Sequence, residues 1–348
     1  MAPLLQAGTA PAPMAEAPPT LAEEANCCCH DNNAPIGVMF DHTHQAGGWM
    51  VGYRYFYSSY EGLRQGSDSI STHDVFHHGF MATPIDMDMH MHMIEVMYSP
   101  TDWLTLMVMP MYMEMNMTMQ ANPMMAGMMS GHMAHMHAMP GSTFSHSSTG
   151  WSDTNVSAIF RLWNSNHNTV LGTLGMNIPT GSVDEKMNGT FTHYMMQQGS
   201  GTWDLTPSVT YKGHAGHVFW GAQYYAALRL EDENESGYCL GNVWETTGWT
   251  AYHLCDWASV SGRLLWTSAD DIDGHYNGPH GHSSPVDIQR NYGGDRLDLG
   301  LGLNLLVPDG ALKGHRLAIE ALWAVDQESN GVFLERDFSI VAGWQFAF

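Results

Sequence analysis

Methionine occupies every second position in two stretches of this chain. The first holds Met87, Met89, Met91 and Met93, then Met97. The second holds Met107, Met109, Met111, Met113, Met115, Met117 and Met119. A period of two is the period of a β-strand, so each stretch sets its thioethers on one face. Ser99-Pro100-Thr101-Asp102 reads as a tight turn that makes the two strands neighbours. Neighbouring strands lie about 4.8 Å apart and same-face residues recur about every 6.8 Å, so these flexible arms could share an ion and pass it along. A neutral, soft thioether favours Cu(I) over Zn(II), Mg(II) or Ca(II). Methionine is also an adaptable apolar packing residue, which would suit a greasy lining as well.

Three further clusters extend the metal theme. Asp86, Asp88, His90 and His92 alternate with the first methionines and so face the opposite way. The segment 120–150 carries Met128, Met129, His132, Met133, His135, Met136 and His137, a mixed thioether and imidazole set. Near the N-terminus stand Cys27, Cys28, Cys29 and His30, and thiolates bind Cu(I) strongly. The expected metal ligands are the methionine stripes, His90 and His92, this Met/His loop and this Cys/His cluster. No nucleophile elbow, phosphate loop or dinucleotide fingerprint occurs, so an enzyme is not expected.

The elements that would hold these residues are strands. Beside the turn, the face opposite the methionines reads Ile94, Val96 and Tyr98, then Leu104, Leu106 and Val108. That face could meet lipid while the thioethers line an interior. Similar alternation recurs from Trp49 to Phe348 and marks about twelve strands. The clearest sets Leu297, Leu299, Leu301, Leu303 and Leu305 against Asp298, Gly300, Gly302 and Asn304. Short connections follow the even-numbered strands and mostly longer ones the odd, which is the habit of outer-membrane barrels. The expected fold is all-β, a transmembrane antiparallel barrel with both termini on the periplasmic, short-turn side. Residues 47–348 would form it, with 120–150 as an extracellular loop. Residues 1–46, rich in Ala, Pro and acidic groups, read as a flexible periplasmic arm. Inward-facing ionisable groups would include Arg54, Glu95, Arg161, Arg229, Arg263, Asp298 and Glu320.

Composition agrees. Mean hydropathy is −0.21, and no apolar run of about 18 residues offers a membrane helix. The formal charge is −23, with 12 Lys plus Arg, which argues against nucleic acid as a partner and would attract cations. No basic, apolar leader opens the chain, so the sequence is expected to begin after a cleavage site or at a trimmed start.

Several segments resemble a poorly characterised family of bacterial outer-membrane transporter barrels, similar in style to those associated with phenol degradation. They include Gly37-Val38-Met39-Phe40-Asp41-His42-Thr43-His44, Tyr53-Arg54-Tyr55, and Met87-Asp88-Met89-His90-Met91 with Met97-Tyr98-Ser99-Pro100. Further pieces are Gly201-Thr202-Trp203-Asp204-Leu205, Asp271-Ile272-Asp273-Gly274, Gly310-Ala311-Leu312-Lys313-Gly314-His315 and the ending Ala342 to Phe348. The resemblance implies an outer-membrane exporter, importer or channel and names no substrate.

The leading expectation is therefore a barrel in the bacterial outer membrane that binds and translocates copper as Cu(I) along its methionine wall. A periplasmic copper carrier could dock on the arm. The alternatives are a channel for small hydrophobic or aromatic solutes, and a closed barrel that anchors a copper-sequestering loop.

Overall fold

A computed structural model describes residues 33–124 and 139–348. Trp49–Gly66 pairs antiparallel on one edge with Ala82–Thr101, from Trp49↔Tyr98 to Glu61↔Asp86. Its other edge pairs with the second half of the last strand, His315–Ala347, starting at Met50↔Ala347. The sheet therefore closes on itself, and closure leaves no wall strand with an open edge along its whole length. Between these strands the wall runs through Leu104–Met109 continued by Met111–Ala121, and Thr143–Trp151 continued by Thr154–Asn164. Asn168–Ile178, Asp204–Ala215, Val218–Arg229, Val243–Cys255, Ala258–Ala269 and Gly294–Leu306 complete it.

The 33-residue strand His315–Ala347 is a hairpin. Its first half pairs with Gly294–Leu306 and its second with Trp49–Gly66. Arg336 N–H donates to Gln327 Oε1, and Gln327 Nε2 donates to the Arg336 carbonyl, across the fold-back. Among the described residues the wall thus has twelve antiparallel staves, in line with the about twelve that the alternation predicts. Several run further than the alternation marks. The first extends to Gly66 rather than Ser58, through register shifts at Ser59/Tyr60 and Tyr60/Leu63. The last hairpin turns tightly at Ser329–Gly331, where Ser329 Oγ donates to the Gly331 carbonyl.

Lipid-facing positions match the pattern in the sequence. Leu299, Leu301, Leu303, Leu317, Ile319 and Trp323 are all exposed on the outer wall. The named inward ionisable groups lie inside. Arg54 pairs with Glu95 at 3.3 Å, Arg263 with Glu320 at 3.4 Å, Arg296 with Asp298 at 3.0 Å, and Arg229 with Asp204.

Part of the predicted arm behaves differently. Residues 33–44 are mostly buried, and they lie inside the barrel. Gly47 N–H donates to the Ser99 carbonyl and Ala46 N–H to Asp102 Oδ1, which ties the segment to the short-turn rim. Arg161 then donates to Thr43 Oγ1, Gln223 to the Met39 carbonyl, Arg54 to the Ile36 carbonyl, and Gly37 N–H to Glu320. Each partner comes from a different stave, so the segment crosses the lumen as a plug. Polar backbone with no regular structure can be buried this way because inward side chains meet several of its groups and Val38 N–H donates to the Pro35 carbonyl. The arm reading is corrected accordingly for residues 33–46. Residues 1–32, with Cys27, Cys28, Cys29 and His30, lie outside the described residues.

The long-loop end is covered too. The segments 179–203, 230–242 and 270–293 pack Tyr194, Tyr238, Tyr276 and Tyr292 into one aromatic cluster with Phe191 and Ile272. Tyr194 and Tyr276 stack at 4.3 Å between ring centroids. A short helix, Thr72–His77, is started by a capping box between Ser71 and Asp74 and buries Val75 and Phe76. We call this cover the lid.

Candidate functional site

The methionines form one wall of the lumen, between plug and lid. Register brings them face to face as Met97↔Met107, Met93↔Met111, Met91↔Met113, Met89↔Met115 and Met87↔Met117. The predicted thioether pairs are thus real neighbours. Their surroundings divide them. Met87, Met113, Met115, Met117 and Met119 pack against Val75, Met196 and Val286 of the lid. Met93, Met97, Met107 and Met109 pack against Phe40 of the plug, with Ile159 and Leu171. Met91 touches both clusters, so the apolar lining is continuous from one end to the other. Met89, Met91 and Met111 are half-buried.

His90 and His92 sit on the outer face of the same strand, with the sheet between them and the thioethers. Each ring Nδ1 lies 2.7 Å from a tyrosine hydroxyl, Tyr55 and Tyr53 respectively, and Tyr57 donates to Asp88 Oδ1 at 2.5 Å. This polar ladder lies where Ala82–Thr101 continues beyond the lipid-facing Ile94 and Val96. Met128, Met129, His132, Met133, His135, Met136 and His137 lie outside the described residues. Among the described residues, no group of three or more His, Cys, Asp or Glu side chains is gathered as a metal site would require.

Two perturbed carboxylates stand in the plug and in the lid. In the plug, burial alone would raise the Asp41 carboxyl, but His42 at 2.7 Å and the charges of Lys212 and Arg316 hold it below the usual range. In the lid, burial likewise works against Asp287. Its hydrogen bond and charge contact with His193, at 2.6 Å, and the N–H groups of Ser283 and Ser284 hold it below the usual value. Burial pushes Tyr194, Tyr238, Tyr276 and Tyr292 upward, so the lid keeps these hydroxyls neutral.

Sequence reasoning missed two parts of this site, the plug with Phe40 and the tyrosine cluster of the lid. Neither carries periodicity. The aromatic content of 179–203 and 270–293 was the one available signal for the lid.

Residues 94–315 match the family model described as "Putative MetA-pathway of phenol degradation". The chain belongs to this family. The match takes in the second methionine strand and most of the wall of this phenol-degradation family member. Among curated proteins none matches the chain. Among solved structures it is similar to the COG4313 outer membrane channel from Pseudomonas putida F1. Identity is 14%, 88% of this chain and 97% of that chain are covered, and the TM-score is 0.57. The transport unit of the autotransporter AIDA-I from Escherichia coli aligns at 9% identity, over 94% and 98% of the two chains, with a TM-score of 0.49. The NanC porin aligns at 10% identity, over 84% and 98%, with a TM-score of 0.41. The closed barrel and its outward apolar belt are those of a protein of the bacterial outer membrane.

Proposed function

We propose that the barrel is a channel for small apolar and aromatic solutes, gated by the plug below and the lid above. The observation that carries this is the thioether lining, which joins the plug cluster to the lid cluster through Met91. A passing apolar molecule needs a continuous surface that re-packs around it. Unbranched, polarizable methionine does that better than β-branched residues. The family's link to phenol degradation supports an aromatic cargo.

The copper conduit has less to rest on. The thioethers are engaged with Val, Ile, Leu and Phe rather than gathered around an open point, and the nearest imidazoles on their strand face outward. The sequestration reading rests on the loop outside the described residues. Flux tests the proposal directly. Proteoliposomes carrying the barrel should admit phenol faster than protein-free vesicles and faster than they admit a sugar of similar mass. Equal rates for the two solutes would refute it.

A further inference from the structure

Phe40 is the plug side chain most deeply driven into the methionine wall, with Met39 packed beside it. It is 4% exposed and packs with Met93, Met97, Met107, Met109 and Leu171. Tyr225 lies stacked beside it, with centroids 6.2 Å apart and planes 18° from parallel. Thioethers around a ring and a second aromatic in offset stacking are the contacts a neutral six-membered ring prefers. The pocket is therefore built for a phenyl ring, whoever supplies it.

Its present occupant is held at a cost. Phe40 has φ of +56°, in the left-handed region that a bulky residue rarely adopts. Such a conformation persists only where its surroundings over-determine it, and it clusters at ligand clamps and switches. The clamps here are polar and lie on either side of the ring. Gln223 Nε2 donates to the Met39 carbonyl at 2.6 Å, and Arg161 donates to Thr43 Oγ1 at 2.6 Å. With those bonds kept, the ring can swing out while the plug stays docked.

We propose that the Phe40 pocket is a binding subsite for a neutral single-ring aromatic molecule such as phenol, filled in the resting barrel by the chain's own phenyl ring. The proposal rests on the channel reading for its purpose but not for its test. An arriving solute takes the ring's place, and the freed Phe40 marks the first step of transit past the plug. Because the intramolecular ring competes, the wild-type barrel should show only the fraction of the pocket's affinity that its vacant state allows.

Phe40→Gly empties the pocket and tolerates the left-handed backbone. Phe40→Ala serves if the glycine variant does not fold. Binding of 4-fluorophenol is followed by ¹⁹F NMR on the detergent-solubilised barrel, with the wild type in the same micelles as the control for partitioning. The expected result is saturable binding to the variant, at least about tenfold tighter than to wild type. No saturable binding to a folded variant overturns the subsite. Phenol flux through wild-type proteoliposomes separates the two readings. Flux without variant binding removes the subsite and keeps the channel, whereas variant binding without flux keeps the subsite and removes the channel.

Discussion

Arg54 is the strongest test of the plug. Its side chain is 1% exposed, as is that of Glu95, and the two pair at 3.3 Å. Arg54 also donates to the Ile36 carbonyl at 2.9 Å, to the Val38 carbonyl at 3.3 Å and to Met39 Sδ at 2.6 Å. One guanidinium therefore holds both a wall carboxylate and the plug backbone. In Arg54→Met, docking the plug seals Glu95 with a hydrogen bond from Gln345 Nε2, at 3.2 Å, and the more distant charge of Arg316. Leaving a buried charge without its partner costs about 3–5 kcal/mol. The docked state bears that cost, because plug release lets water reach Glu95. At about 1.4 kcal/mol per tenfold, the docked fraction should shift by a factor of about 10² to 10⁴. Adding Glu95→Gln removes the stranded charge and leaves the orphaned carbonyls, which cost about 1–3 kcal/mol each. The order of openness in planar bilayers should be Arg54→Met, then the double variant, then wild type. Wild-type conductance in the single variant, or a double variant as open as the single, would refute this account of the plug.

Four-fold replacement of Met107, Met109, Met111 and Met113 by Leu conserves apolar volume and should cost less than about 1.5 kcal/mol per site; thermal unfolding measures it. Phenol flux should stay within about tenfold of wild type, and copper-dependent phenotypes abolished with flux intact would revive the metal reading. Because burial raises all four lid tyrosines, the folded lid resists their ionisation while the unfolded segment ionises near pH 10. Lid stability should be intact below about pH 10 and fall above it, so 295 nm absorbance should rise late and together with protease access; titration at ordinary pH with the lid intact would contradict this. Asp287 has the opposite sign. Its lowered folded value gives stability above the ordinary carboxylate range of about 4 that is lost as pH falls through the folded value, and Asp287→Asn should remove that acid sensitivity. Gly221 faces Trp249, and a Cβ there would stand 2.2 Å from the indole ring. Trp249 packs on Ala34 and Val38 of the plug, so Gly221→Val should cost about 1–3 kcal/mol and raise baseline conductance.

The wall was legible because alternation is a local property. Leu297 to Leu305 could only face one way, and one side of that strand is lipid. The pairing of Met97 with Met107 followed from the turn between them. What lay between the walls was not legible. The plug has no period to read, and its partners are distant, as with Gly37 and Glu320. Nor does spacing say what a stripe faces. The same odd-numbered methionines are compatible with bound ions, with empty lumen or with packed side chains. Residues such as Phe40, Val75, Met196 and Val286 pack on that face, and they arrive from loops and from the segment that read as an arm.

The two ends of the lining are built from different materials, and that bears on how a solute would pass. The plug is held by buried charge and hydrogen bonds on many staves, so releasing it whole is costly. The lid is held by stacked aromatic rings and meets the upper methionines through Val75, Met196 and Val286, and an aromatic solute could reproduce the ring contacts as it displaces them. Entry at the lid then exchanges one set of ring contacts for another with little net cost. At the plug, the cheaper route is to move one ring, Phe40, rather than the segment. Methionine suits both exchanges, because its unbranched chain can follow the solute without opening a void. A leucine wall would hold the resting barrel equally well but would re-pack more slowly. Substitution along the stripe should therefore appear in transit rate before it appears in stability.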